Sequence, residues 1–262
     1  MKIDFYRHEL GRDEKKSLNN VLDSNYISSG PILKKFEKLF SKYLNIKFCL
    51  GVSSWTMGNL ILLKALGIKK GDEVITTPLT FPATVNTVLL ASAKPIFADV
   101  EIDTGNIDAN KIESYITKKT KAILVVHMYG QMCDMKKISK IAKKNNLLLI
   151  EDCAHCLEGE REKIRPGKLS DASVFSFYAT KNITSGEGGA ILTNNSNLYE
   201  KLKQLQFHGI KKNLNSKYSK NYKHWDQFYL GYKCNMSDIQ ASLLIPQIKK
   251  IKENNKKRNK IW

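Results

Sequence analysis

Long apolar runs are missing from this chain. No stretch approaches the ~18 consecutive apolar residues of a membrane-crossing helix, and Met1-Lys2-Ile3-Asp4-Phe5-Tyr6-Arg7 has no apolar secretory core. Cysteine is scarce and odd in number: five residues at irregular spacing, which excludes a regular disulfide framework. Reduced thiols in a cytoplasmic protein are expected. Acidic residues are in deficit, 25 Asp and Glu against 43 Lys and Arg, for a net charge of +18. Such a surplus first suggests nucleic acid, but an aromatic–basic recognition motif is lacking. The charge is instead dispersed through stretches such as Lys136-Lys137-Ile138-Ser139-Lys140-Ile141-Ala142-Lys143-Lys144, the solvated face of an amphipathic helix. Neither nucleic acid nor a membrane is expected as a partner, whereas a basic surface would attract a small anionic substrate.

Two motifs are incomplete. Gly167-Lys168 lacks the rest of a phosphate loop, because Glu162 stands where the first Gly belongs and Leu169 where Ser or Thr belongs. Cys153-Ala154-His155-Cys156 lacks the second ligand pair of a structural zinc site, so no metal is expected. There is no internal repeat.

What is present is the composition of a packed domain: 262 residues, 42% hydrophobic and 26% charged. The length suits one large domain, or one with part of a second. Helices are expected over 18–22 and 32–43, punctuated by Gly30-Pro31. Short apolar strands and helices then alternate: strands at 48–52, 73–77, 94–99, 122–127, 147–151, 173–177 and 189–193, and helices at 57–66, 82–91, 112–116 and 135–145. A further helix is expected over 236–251, with a charged continuation. The polar stretch from Lys211 to Lys233 reads as a long, functional loop. Continuous apolar strands alternating with helices predict a mostly parallel sheet buried on both faces. Ligands in such sheets lie at the carboxyl ends of the strands, where Ser53, Thr77, Asp152 and Ser176 fall.

Two of those ends carry chemistry. In Ser176-Phe177-Tyr178-Ala179-Thr180-Lys181-Asn182-Ile183-Thr184-Ser185-Gly186-Glu187-Gly188-Gly189, one lysine stands between an apolar run and a glycine-rich turn. Desolvation lowers a lysine's pKa, and the neutral amine can then attack a carbonyl and hold it as a Schiff base. Upstream, Leu147-Leu148-Leu149-Ile150-Glu151-Asp152-Cys153-Ala154-His155 is an apolar strand ending in a carboxylate and an imidazole. An imine-forming lysine and a carboxylate that can hold a pyridinium proton are the side chains pyridoxal phosphate chemistry requires.

The chain as a whole resembles the DegT/DnrJ/EryC1/StrS family of pyridoxal-phosphate sugar aminotransferases. The resemblance runs in order through Gly71-Asp72-Glu73-Val74-Ile75-Thr76-Thr77-Pro78, Thr80-Phe81-Pro82-Ala83-Thr84, Ala93-Lys94-Pro95-Ile96-Phe97-Ala98-Asp99-Val100 and His127-Met128-Tyr129-Gly130-Gln131. It continues through the Asp152 and Lys181 segments, His208-Gly209 and Gly231-Tyr232-Lys233-Cys234-Asn235-Met236-Ser237-Asp238-Ile239-Gln240-Ala241. It implies the α/β type I aminotransferase fold, with a seven-stranded, mostly parallel sheet between helices. It divides the chain into a large cofactor-binding domain, 1–235, and the start of a small carboxyl-terminal domain, 236–262, largely missing.

The resemblance also implies roles. Lys181 is the Schiff-base lysine, Asp152 the partner of the cofactor's ring nitrogen, and His155 a neighbour of its phenolic oxygen. Phe81 stacks on the ring. Ser54-Trp55-Thr56-Met57 opens a helix whose amides suit the phosphate, with Trp55 standing where the family commonly has Gly. Ser176 reaches the same phosphate, and Asn235, with Lys233 as its rival, reaches the phosphate of a partner subunit in a homodimer. The implied activity is transfer of an amino group, with glutamate the expected donor, to a keto-sugar on a nucleotide diphosphate, for amino-sugar or surface-glycan synthesis. Family members that dehydrate sugars have His in place of Lys181, so its retention favours transamination. The remaining alternative is a non-catalytic, cofactor-binding or truncated relative.

Overall fold

The computed structural model describes residues 6–211 and 226–261. Most of the expected loop between Lys211 and Lys233 lies outside the described residues.

The element order is α1 (Arg12–Leu22), α2 (Pro31–Leu44), β1 (Phe48–Val52), α3 (Trp55–Ala65), β2 (Glu73–Thr76), α4 (Pro82–Leu90), β3 (Lys94–Phe97), β4 (Thr120–Val126), α5 (Met135–Lys144), β5 (Leu148–Asp152), β6 (Ala172–Ser176), β7 (Gly189–Thr193), α6 (Ser196–Leu205) and α7 (Asp238–Ile261). The strands form one seven-stranded sheet in the order β1-β7-β6-β5-β4-β2-β3. All neighbouring pairs are parallel except those made by β7, which runs against β1 and β6. The expected mostly parallel sheet is therefore found, with the one reversed strand supplied by the hairpin that follows β6. Pro95 sits in β3, an edge strand, where a missing N–H costs no ladder bond.

Strand alternation divides the core into two layers. Ile75, Ile123, Val125 and Phe175 face one side, packed with Phe36, Phe40 and α7 residues Leu244 and Ile251. Val74, Ala122, Leu124 and Val174 face the other, packed with Ile61, Leu62 and Leu202. Phe40 meets Phe175 and Phe177 edge-on, with ring centroids at 5.2 and 5.4 Å, a favoured quadrupole arrangement.

Three elements differ from expectation. The segment 112–116 closes only a single 3₁₀ turn, Ile112–Tyr115, before Ile116 turns extended; four residues are too few to offset α-helix nucleation. α1 begins at Arg12, six residues earlier than its apolar pattern shows, and the Glu14 carboxylate accepts the Gly11 N–H at 2.8 Å to hold that start. α6 was not anticipated. Asn195 opens it by accepting from the amides of Asn197 and Leu198, and Leu198, Leu202 and Leu205 bury one stripe. The charged continuation after 251 is helical to Ile261.

The start of α7 is tied to the start of α2. Asp238 is fully buried, and its carboxylate accepts from the amides of Gly30, Ile32 and Leu33 at 2.8–3.1 Å. These are orphan donors of a helix amino end, satisfied from more than 200 residues away. A Cβ on Gly30 would stand 2.6 Å from Asp238 Oδ2, which is why glycine precedes Pro31.

Candidate active site

Register brings the predicted residues to one end of the sheet. Val52 ends β1, Ser176 ends β6, and both pair with Gly189 of β7 between them. Asn235 bridges Val52 from the other side. Asp152 ends β5, pairing with Val126 and Val174. A Cβ on Gly189 would stand 2.8 Å from Ser54 C and Trp55 N, so only glycine lets β7 pass under the start of α3.

Lys181 lies in the loop joining β6 to β7. That loop is held at several points. The Phe177 amide donates to Gly188 O, and the Ser185 amide to Phe177 O. From α7, the Gln247 side chain accepts from the Thr184 N–H at 3.0 Å and donates to the Thr184 carbonyl at 2.7 Å. Gln240 donates to the Glu187 carbonyl. Gln240 lies in a segment the sequence singles out, though with no role attached to it, and Gln247 does not stand out in the sequence at all. They sit within an apolar helix pattern, and their partners lie more than 50 residues away.

Lys181, His155 and Ser176 line a cavity of about 1040 Å³, together with Tyr6, Tyr129 and Arg258. Burial lowers the pKa of Lys181, and the Asp152 carboxylate draws it partly back. Burial pushes Asp152 up to about 6; the Ala154 amide, the Thr84 hydroxyl and the Lys181 ammonium oppose that shift. Burial and the Lys181 charge lower the pKa of His155, whose ring stacks on Tyr129 with planes 11° apart. Tyr129 holds a left-handed backbone, φ 51°, at this exposed position.

Both oxygens of Asp152 are oriented. The Ala154 N–H donates to Oδ1 and the Thr84 hydroxyl to Oδ2, each at 3.0 Å. Behind Asp152, the Cys133 amide donates to His127 Nδ1, so that nitrogen carries the lone pair and His127 donates through Nε2 to Glu151 at 2.7 Å. Glu151 also accepts from the Gly167 amide and the Ser170 hydroxyl. His127, Glu151 and Cys153 cluster within 4.8 Å, but the hydrogen bonds commit both ring nitrogens and both carboxylate oxygens to protein partners.

The remaining predicted residues are placed as follows. Trp55 opens α3 in ordinary helical backbone. Its side chain is in the core and its indole N–H donates to Val174 O at 3.1 Å. Position 55 thus offers a ligand only its backbone amide. The amides of Trp55 and Thr56 are first-turn donors with no helical acceptor, while the Met57 amide is satisfied by Ser54 Oγ. Phe81 precedes α4, three residues before Thr84, and is 76% exposed; it is not among the residues that line the cavity. Asn235 donates to Ser29 Oγ and accepts from Lys233 Nζ, so the two rival residues are hydrogen-bonded to each other.

This donor set fits pyridoxal phosphate. A half-buried lysine with lowered pKa stands in the field of an oriented, buried carboxylate, and free helix amides lie at the same end of the sheet. Lys181 would hold the aldehyde, Asp152 the ring nitrogen, and Ser176 with the α3 amides the phosphate.

Comparison with known proteins agrees. The sequence profile of the DegT/DnrJ/EryC1/StrS aminotransferase family matches residues 8–262. The spore coat polysaccharide biosynthesis protein SpsC of Bacillus subtilis is 40% identical over 253 residues, covering 96% of this chain and 65% of SpsC. GDP-perosamine synthase of Escherichia coli O157:H7 is 37% identical, covering 94% of this chain and 65% of the synthase. The chain therefore spans just under two thirds of the length of these curated relatives. Among solved structures, the PMP form of Spr1654 from Streptococcus pneumoniae superposes with a TM-score of 0.91 at 28% identity, covering 96% of this chain and 68% of that one.

Proposed function

The chain belongs to the DegT/DnrJ/EryC1/StrS aminotransferase family, and from that premise we propose that it is a pyridoxal-phosphate-dependent aminotransferase acting on a nucleotide-diphosphate-linked keto-deoxy-sugar. L-Glutamate is the amino donor in this reading, and the product serves amino-sugar or surface-glycan synthesis. The observation that carries the reading is Lys181, on the wall of a cavity of about 1040 Å³, within the field of the buried and oriented Asp152 carboxylate.

When bound, pyridoxal phosphate supplies an electron sink for negative charge at the carbon bearing the amine. The chain's own residues do the rest. Asp152, with both oxygens oriented, accepts a hydrogen bond from the ring nitrogen and keeps that nitrogen protonated. Lys181 would hold the aldehyde until the donor's amine displaces it, and the freed lysine amine, its proton affinity reduced by burial, would then take the proton from the substrate carbon. His155, driven toward its neutral form, offers a hydrogen bond near the phenolic oxygen. Ser176 and the amides of Trp55 and Thr56 hold the phosphate without a formal charge. Phe81 offers an exposed face for stacking.

A homodimer with shared sites belongs to the same reading. Leu79, Phe81, Leu89, Leu90, Phe97 and Ile102 are all large, apolar and more than 40% exposed; such surface favours a protein partner. Asn235 then serves the second site. No helix among the described residues is long and apolar enough to cross a membrane, and all five cysteines are free and buried, as suits a reducing cytoplasm. The test is incubation of the purified protein with glutamate and a panel of nucleotide-linked keto-sugars, read by mass spectrometry. Replacement of the keto oxygen by an amine, with matching formation of 2-oxoglutarate, is expected. A dehydrated sugar, or an unchanged panel, contradicts the reading.

A further inference from the structure

Asp152 has a second layer of control. Among the described residues, Thr84 gives the only side-chain hydrogen bond to its carboxylate, 3.0 Å from Oδ2. Thr84 is fully buried in the first turn of α4. Its oxygen also lies 2.8 Å from the Thr80 hydroxyl. An ionised carboxylate only accepts, and a hydroxyl has one proton to give. With the Thr84 proton given to Asp152, Thr80 must donate to Thr84. The chain thus runs one way, Thr80 to Thr84 to Asp152, and each donor strengthens the next.

The backbone of Thr84 is fixed as well. Its carbonyl accepts the Thr87 hydroxyl, which in turn accepts from Asn59 Nδ2 at 2.7 Å. The hydroxyl chain starts in the segment that carries exposed Phe81, so it links the ring-stacking position to the ring-nitrogen position. With the Ala154 amide on Oδ1, each carboxylate oxygen has one donor and keeps room for one more.

Resting on the cofactor reading above, we propose that Thr84 is a positioning residue whose hydroxyl, ordered by Thr80, fixes the Asp152 carboxylate to receive the protonated ring nitrogen of pyridoxal phosphate. The carboxylate arrives pre-oriented, and the charge it needs is supported from behind. Burial alone pushes Asp152 toward its neutral form, and the Thr84 hydroxyl works against that.

The test compares Thr84→Val, which keeps shape and removes the hydroxyl, with Thr84→Ser, which keeps the hydroxyl. Equilibrium binding is measured for pyridoxal phosphate and for an analogue with carbon in place of the ring nitrogen. Loss of a hydrogen bond to a charged group predicts that Thr84→Val binds pyridoxal phosphate about tenfold or more weakly. Thr84→Ser should stay within about threefold of wild type, and neither variant should lose affinity for the carbon analogue. Equal losses for both ligands, or a Ser variant as weak as Val, would assign Thr84 a merely structural role and overturn the proposal. A wild-type protein that binds neither ligand overturns the cofactor reading itself, and the proposal with it.

Discussion

Lys181 and Asp152 sit within one another's field, and burial drives them in opposite directions. The lysine falls below its ordinary value and the aspartate rises to about 6, while each draws the other partly back. A protein interior tolerates such a pair at a cost; here a ligand with a carbonyl at one end and a basic ring nitrogen at the other would use both groups.

Asp152→Asn keeps the size of the side chain and leaves the ring nitrogen without an anionic partner. The variant should still take up cofactor. Its turnover should fall by about a hundredfold or more, the scale of losing one oriented electrostatic group at a reacting centre. Steady-state kinetics with glutamate check this; a rate near wild type contradicts the role given to Asp152.

Asp238→Ala removes the acceptor for three amides at the start of α2. Orphaned buried donors each cost about 1–3 kcal/mol, so a loss of about 3 kcal/mol or more is expected in urea unfolding. Asp238→Asn retains one carbonyl oxygen and should lose less.

Glu37 gives a pH dependence. Burial pushes its pKa up to about 7, although its carboxylate accepts the Gly51 amide at 2.8 Å. In the unfolded chain it loses its proton near the reference value of 4.5. Between these values the folded state holds more protons than the unfolded state, so stability falls as pH rises from about 4.5 to 7. Glu37→Gln keeps an acceptor for Gly51 and lacks this slope. It should match wild type near pH 4.5 and exceed it at pH 8 by up to about 3 kcal/mol. Equal pH profiles in urea titrations would contradict it.

The strands were legible because each is a short apolar run bounded by turn residues, and a sheet buried on both faces needs little else. Lys181 and Asp152 stand out as candidates for a related reason: a charge at or shortly after the end of an apolar strand has few structural uses. What was hidden depended on long-range pairing. Thr84 looks like any threonine of a helix start until its hydroxyl is seen to meet Asp152 at the end of β5. Gln247 looks like a polar interruption until α7 is laid against the Lys181 loop. Trp55 misleads in the opposite sense, because its side chain turns into the core and leaves only its amide at the site. α6 was masked by the Lys and Glu residues that cover its exposed face.

The account rests on a covalent bond between Lys181 and pyridoxal phosphate, and absorbance reads it most directly. Wild-type protein given the cofactor should show a band at about 420 nm that shifts when glutamate is added, and Lys181→Ala should lack the band. A band of equal strength in Lys181→Ala, or a wild-type protein that stays colourless with excess cofactor, would contradict it.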